Sequence, residues 1–447
     1  MSMSFLVACE NGNRKIAELL LSADETDVKY TDEKGRTALH YAAHRGYLDI
    51  VKILADKGAD IDYEDHNGET PLYFAMISKQ KQTALFLIEK DAKFGLKDNQ
   101  GNSFLHIAAR TAQIEVLKKL IELGVEVDSE NNDAETPLLI AAACGNREIV
   151  KTLLENGAAI HKTNNAGDNA LLLATKAKNS QMAELLLDNG ADINHINDAG
   201  ESALLVACYE NNQMIVKLMV KRGADIFISS KSGMSPIWYA VSHNQKDTVS
   251  SFIENGLDAN YARPFNKSDG AMDSYLDWVE SAIDMSLGST FSLSSDVCSG
   301  ESLLHVAVKS GYLSMVRLLI EKGALINYQD ESGNTALHYA AANGKKDIVK
   351  FLLENKADVT VINVKEQKAI DYSNIKGYNE ITEMILKFSD PGTVVKPVVQ
   401  ADTVINAAPA NDMVAKKQAL MDLKELFDAG ILTQEEFDLE KGKILKG

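Results

Sequence analysis

Apolar positions along this chain come in two alternating blocks. The first kind, such as Ala38-Leu39-His40-Tyr41-Ala42-Ala43, is short and rich in small residues. The second, "YLDIVKILADKG" at 47–58, sets Ile50, Val51, Ile53 and Leu54 on a helical spacing. Together they predict two short antiparallel helices, with Ala at the contacts so that neighbouring helices approach closely. Gly58 follows the second block and supplies a left-handed stop. "ADIDYEDHNG" then runs extended and turns through Asn-Gly, which predicts a β-hairpin finger reaching toward the next unit.

The pattern has a period of about 33 residues, the mark of a stacked solenoid. One glycine slot recurs at Gly35, Gly68, Gly101, Gly167, Gly200 and Gly233, with Ala134 in step, and again at Gly300 and Gly333, with Glu366 last. A second slot, after the second helix, holds Gly58, Gly124, Gly157, Gly190, Gly223, Gly256 and Gly323, replaced by Asp91 and Lys356 in two units. Thr37, Thr70, Thr136, Thr335, Ser103, Ser202, Ser235 and Ser302 stand where a helix begins and are expected to cap its free amides. One unit cannot bury its apolar face alone, so stacking is obligatory.

"GETPLYFA", "AETPLLIAAACG" and "GNTALHYAAANG" carry the signature G-x-T-P-L-H-x-A-A-x-x-G, and residues 4–388 resemble the ankyrin repeat. The fold class expected is therefore all-α: an ankyrin-repeat solenoid of helix-turn-helix units plus β-hairpin fingers. The resemblance implies a concave surface of fingers and first helices that grips other proteins. Lys79, Lys178 and Asn244 fill the glycine position between the helices, where looser turns are expected.

Leu6-Val7-Ala8-Cys9 fits the loose pattern of a lipoprotein cleavage site. Only eight residues precede Cys9, and none is Lys or Arg, so the basic start and apolar core of a signal are missing. "FLVACENGN" also aligns with "LLVACYENN" at 204–212, which places Cys9 in the first helix of a capping repeat.

The domains read as an N-terminal capping repeat at 1–34, seven repeats at 35–265, and three more at 300–388 including the C-terminal cap. Between them, residues 266–299 keep almost a repeat's length without its markers. They read as a helix near 270–286 with a Ser-rich loop: a degenerate repeat or insertion, or else a partner-docking element with Tyr275 and Trp278 as aromatic anchors. Residues 389–411 hold three Pro and no helical periodicity, which predicts a flexible linker. Residues 412–447 predict a small α-hairpin, with Leu420, Leu423, Leu426 and Phe427 on one face and the T-x-x-E cap of Thr433 and Glu436 opening its second helix. "LKELFDAGILTQEEFDLEKGKIL" is similar to the SHOCT module, the short C-terminal domain of bacterial proteins, and implies a bacterial setting and a role in oligomerisation. A hairpin this small needs a partner surface.

Composition narrows the function. Hydrophobic residues make up 45% and charged residues 25% of 447, and no stretch approaches the ~20 apolar residues that span a bilayer. With 64 acids against 46 bases the formal charge is −18. That charge repels nucleic-acid phosphates and favours a protein partner with a basic patch. Cys9, Cys144, Cys208 and Cys298 form no CxxC pair, so a reduced, cytoplasmic protein is expected.

Chemistry is sparse. His40, His106, His305 and His338 share one repeated slot, where the imidazole is expected to brace adjacent repeats. His40 and His44 have the spacing of a zinc pair, but "HYAAH" lacks the Glu of H-E-x-x-H and has no third ligand. No phosphate loop, nucleophile elbow or paired-carboxylate motif stands out, so no enzyme, cofactor or metal is expected.

The slot just after the finger glycine holds Arg36, Glu69, Asn102, Glu135, Asp168, Glu201, Met234, Glu301, Asn334 and Gln367. Its acids suggest a negative rail for a basic partner. By the ankyrin resemblance this slot and the end of the first helix, where Arg110, Tyr209, Glu210 and Ser242 lie, face the ligand. Self-association through 412–447 is expected as well. Three uses fit: a general scaffold, an inhibitor or immunity protein that occludes an enzyme or toxin, or an effector delivered to a host.

Overall fold

The computed structural model describes residues 2–22, 27–263 and 300–389, all within one compact unit, Met1–Thr393. The docking pair Tyr275 and Trp278, the linker from residue 390 on and the hairpin 412–447 lie outside the described residues.

Twenty-two helices stand in antiparallel pairs among the described residues. Each pair has an inner helix, such as Ala38–Arg45, and an outer one, such as Leu48–Asp56. The inner helices touch through small residues: Ala42, Ala75, Ala108, Ala141, Ala174, Ala207 and Ala240 are all fully buried. Leu54, Leu87, Leu120, Leu153 and Leu186 do the same for the outer helices. One apolar cluster runs unbroken from Phe5 to Ile385. Cys9 is part of it, in the helix Ser2–Glu10, and burial pushes its thiol pKa up to about 12.

Local chemistry starts each inner helix. Thr70, Thr136 and Ser202 accept the amides of Tyr73, Leu139 and Leu205. Where the slot three residues on is His, the bond is returned: the Thr37 amide donates to His40 Nδ1 at 3.0 Å, and Ser103, Ser302 and Thr335 do likewise to their own His. Lys79, Lys178 and Asn244 hold φ between 56° and 58°, the same left-handed turn that Gly46 and Gly145 make. Those turns are therefore kept in shape rather than loosened, at a cost of about 1 kcal/mol for each lysine.

Antiparallel bridges close the fingers, as between Lys97 and Ser103 or Thr163 and Asn169. Another such bridge joins Ala262 to Ser302. The Arg263 amide donates to the Glu301 carbonyl at 2.8 Å, matching the Asn164–Asp168 bond of an ordinary finger at 3.1 Å. Pro236–Ser242 packs on Leu303–Ser310, and Lys246–Glu254 on Leu313–Glu321, as in neighbouring repeats. The chain thus leaves one fingertip after Arg263 and re-enters the same fingertip at Gly300.

Among the first seven fingers, two kinds of side-chain bond between neighbours alternate. At the inner side, Arg36 reaches Asp65 (2.9 Å), Asn131 reaches Asn102 (2.9 Å) and Asn197 reaches Asp168 (3.0 Å). These link the first finger to the second, the third to the fourth and the fifth to the sixth. At the outer side, Asp62, Asp128 and Asn194 accept the amides of Lys93, Ala159 and Asp225, which link the second to the third, the fourth to the fifth and the sixth to the seventh.

Candidate protein-binding face

Fingers and inner helices together form one face of the solenoid. Each finger turns on a side-chain oxygen: Asp65 Oδ1 accepts the amides of Asn67 and Glu69, Asn131 those of Asp133 and Glu135, and Asn197 those of Ala199 and Glu201. This turn aims the next side chain, the slot of the proposed acidic rail, back toward the inner helices.

The rail is less acidic than its sequence. Asp168 is 4% exposed and pairs with Lys176 at 2.6 Å, while Glu301 is 2% exposed and pairs with Lys309 at 2.6 Å. Neither carboxylate is open to direct contact by a partner. Glu69 is half-buried and meets Arg36 at 3.3 Å; burial, then the nearby Asp65, lift its pKa. Glu135 and Glu201 differ. Each is half-buried, accepts only the side-chain amide of its own finger's Asn131 or Asn197, and has no ion pair among the described residues.

The inner-helix ends supply the rest of the face. Arg110 is exposed and has no hydrogen bond or ion pair among the described residues. Glu210 is exposed but paired with Lys178 at 2.7 Å, and Ser242 donates to the Tyr239 carbonyl at 3.1 Å. Tyr209 is half-buried and meets Tyr239 edge-on, with ring centroids 4.6 Å apart. Tyr239 in turn stacks on His243 at 3.8 Å. Beside them Phe227, Tyr261 and Trp238 form a second aromatic group, with the Arg263 guanidinium 4.5 Å above the Trp238 ring. Tyr239 and His243 escaped the sequence reading, although an aromatic pair four apart at a helix end was a visible signal.

Three histidines of the repeated slot brace the next finger. His40 Nδ1 accepts the Thr37 amide while Nε2 lies 3.1 Å from the Glu69 carbonyl, 29 residues on in the next finger. His106 and His338 brace Glu135 and Gln367 the same way. With both nitrogens engaged, His40 has no lone pair for a metal, and no group of three potential metal ligands gathers among the described residues. No helix among them is long and apolar enough to cross a membrane.

The family described as "Ankyrin repeats (3 copies)" matches residues 5–98, 105–197, 171–263 and 272–363. Among solved structures the chain is similar to an ankyrin repeat domain from Acinetobacter baumannii AYE, at 28% identity, over 42% of this chain and 98% of that one, with a TM-score of 0.39. No curated protein matches it. With more than half of the chain matched, stacked helix pairs over one continuous core and a finger between successive pairs, the chain belongs to the ankyrin-repeat family.

Proposed function

We propose that this protein is a non-catalytic, cytoplasmic scaffold of bacterial type that holds a protein with a basic patch against its fingers and inner helices. The observation that carries the reading is the half-exposed aromatic group of Tyr209, Tyr239 and His243, which offers rigid contact area next to polar groups. Glu135 and Glu201, without an ion pair among the described residues, supply the charge that attracts the partner; Asp168 and Glu301 do not, because lysines already neutralise them. Residues 412–447, with their SHOCT-like sequence, add self-association, so one assembly presents several such faces.

The test is capture from a lysate followed by kinetics with the purified partner. Tyr209→Ala should speed dissociation by tenfold or more, about the 1.4 kcal/mol or more expected of an aromatic anchor. Reversing Glu135 and Glu201 to Lys should slow association at low salt and leave it unchanged at high salt. Equal rates for all three proteins at low salt would defeat the reading. Deleting 390–447 should lower the mass seen by light scattering; an unchanged mass would remove the self-association.

A further inference from the structure

Most fingers are sewn to their neighbours through the backbone. The His66 amide donates to the Lys34 carbonyl at 2.9 Å, and equivalent bonds run from Asn132 to Gln100, Asn165 to Asp133, Asp198 to Ala166, Lys231 to Ala199 and Val364 to Ser332. The second and third fingers break the series: the Asn99 amide and the Asn67 carbonyl, which hold the equivalent positions, form no such bond among the described residues. The glycines register the same gap. A Cβ on Gly35, Gly101, Gly167, Gly200 or Gly333 would come within 2.6–3.0 Å of the following finger, but on Gly68 it would meet only Glu64 of its own finger, at 4.0 Å. A cleft of about 240 Å³ opens there, lined among others by Asn67, Glu69, Tyr73, Asp98, Phe104 and Arg110.

One donor and one acceptor across such a gap are what an extended chain needs to pair with a strand edge. The charges of the cleft then select a side chain. Asp98 is already engaged by the amides of Gln100 and Asn102 and by the Asn102 side chain. Glu69 is held by Arg36, and Lys97 donates to the Glu130 carbonyl. Arg110 is the charged group of this lining left unengaged among the described residues. We propose that this cleft takes an extended peptide segment bearing an acidic side chain, its backbone paired with the Asn99 N–H and the Asn67 carbonyl and its carboxylate on Arg110. The proposal rests on the scaffold reading and deepens it: one acidic residue fixes the register of a partner whose surface is otherwise basic.

The test uses the ¹⁵N-labelled full chain and the capped peptide acetyl-Thr-Val-Glu-Val-Thr-amide, beside the same peptide with Gln in place of Glu. In the free protein the Asn99 amide should exchange with solvent much faster than those of His66 and Asn132. Added peptide should shift and protect the Asn99 amide. The Glu peptide should bind about tenfold tighter than the Gln peptide, the difference between a charge-assisted and a neutral hydrogen bond. Arg110→Gln, at an exposed site, should erase that difference. An Asn99 amide protected without peptide, unmoved by millimolar peptide, or shifted equally by both peptides in wild type and variant would overturn the proposal. Partner capture lost in Tyr209→Ala with the peptide titration intact is the expected pattern. Capture unaffected by Tyr209→Ala would overturn the scaffold reading while the peptide result stands by itself.

Discussion

Acid should loosen the array at His305. This imidazole is 1% exposed, and its Nδ1 lies 3.1 Å from the Ser302 amide. An amide can only donate, so Nδ1 must carry a lone pair, and the neutral ring alone fits. Burial accordingly pushes the His305 pKa down from 6.5 to about 4. The unfolded chain therefore binds a proton that the folded one refuses between these two values. The stabilisation is complete above pH 6.5 and is lost progressively as pH falls toward 4. From the 1.36 kcal/mol that accompanies each pH unit in that window, the loss is about 2 kcal/mol at pH 5 and about 3 kcal/mol at pH 4. His40, His106 and His338, whose pKa values burial also lowers, act in the same direction. The control is His305→Leu, because Leu172 and Leu205 fill the same slot of sibling repeats. Hydrogen exchange of the helix Leu303–Ser310 at pH 7 and pH 5, corrected for intrinsic rates, reports the local free energy. Wild type should lose about 2 kcal/mol more than the variant over that interval. Equal losses would refute the argument that this ring must stay neutral.

Two further outcomes follow from the backbone. Lys178→Gly should raise stability to urea by about 1 kcal/mol, since glycine takes the left-handed turn at φ 58° without strain; a lower midpoint would show that the Lys178–Glu210 pair outweighs it. Joining residue 265 directly to Gly300 should leave a folded array with a melting temperature within a few degrees of the full chain, because the Ala262–Ser302 bridge already closes that finger. Loss of cooperative melting would count against it.

The architecture was plain in the sequence because it is written many times over: glycines at left-handed turns, Thr and Ser at helix starts and Ala at the tightest contacts each repeat in register. The charge of the face was harder to see. Five acids share the slot, but only Asp168 and Glu301 have a lysine eight residues later, Lys176 and Lys309. The finger turn brings that position against the slot, so these two carboxylates are neutralised and buried, whereas Glu135 and Glu201 face Ala143 and Tyr209 at the same spacing. The spacing was visible in the letters; its meaning needed the geometry. The parting of the second and third fingers left no mark, because Asp65-His66-Asn67-Gly68 and Asp98-Asn99-Gln100-Gly101 both spell an ordinary turn.

The break between the second and third fingers has a mechanical meaning. The Asn131–Asn102 and Asn197–Asp168 contacts are shielded from solvent, whereas those of Asp62 with Lys93 and Asn194 with Asp225 are open to it. A buried polar contact yields less readily than one that water can replace. Under tension the seam between the second and third fingers, which has no backbone bond among the described residues and only the exposed contact of Asp62, should therefore part before its neighbours.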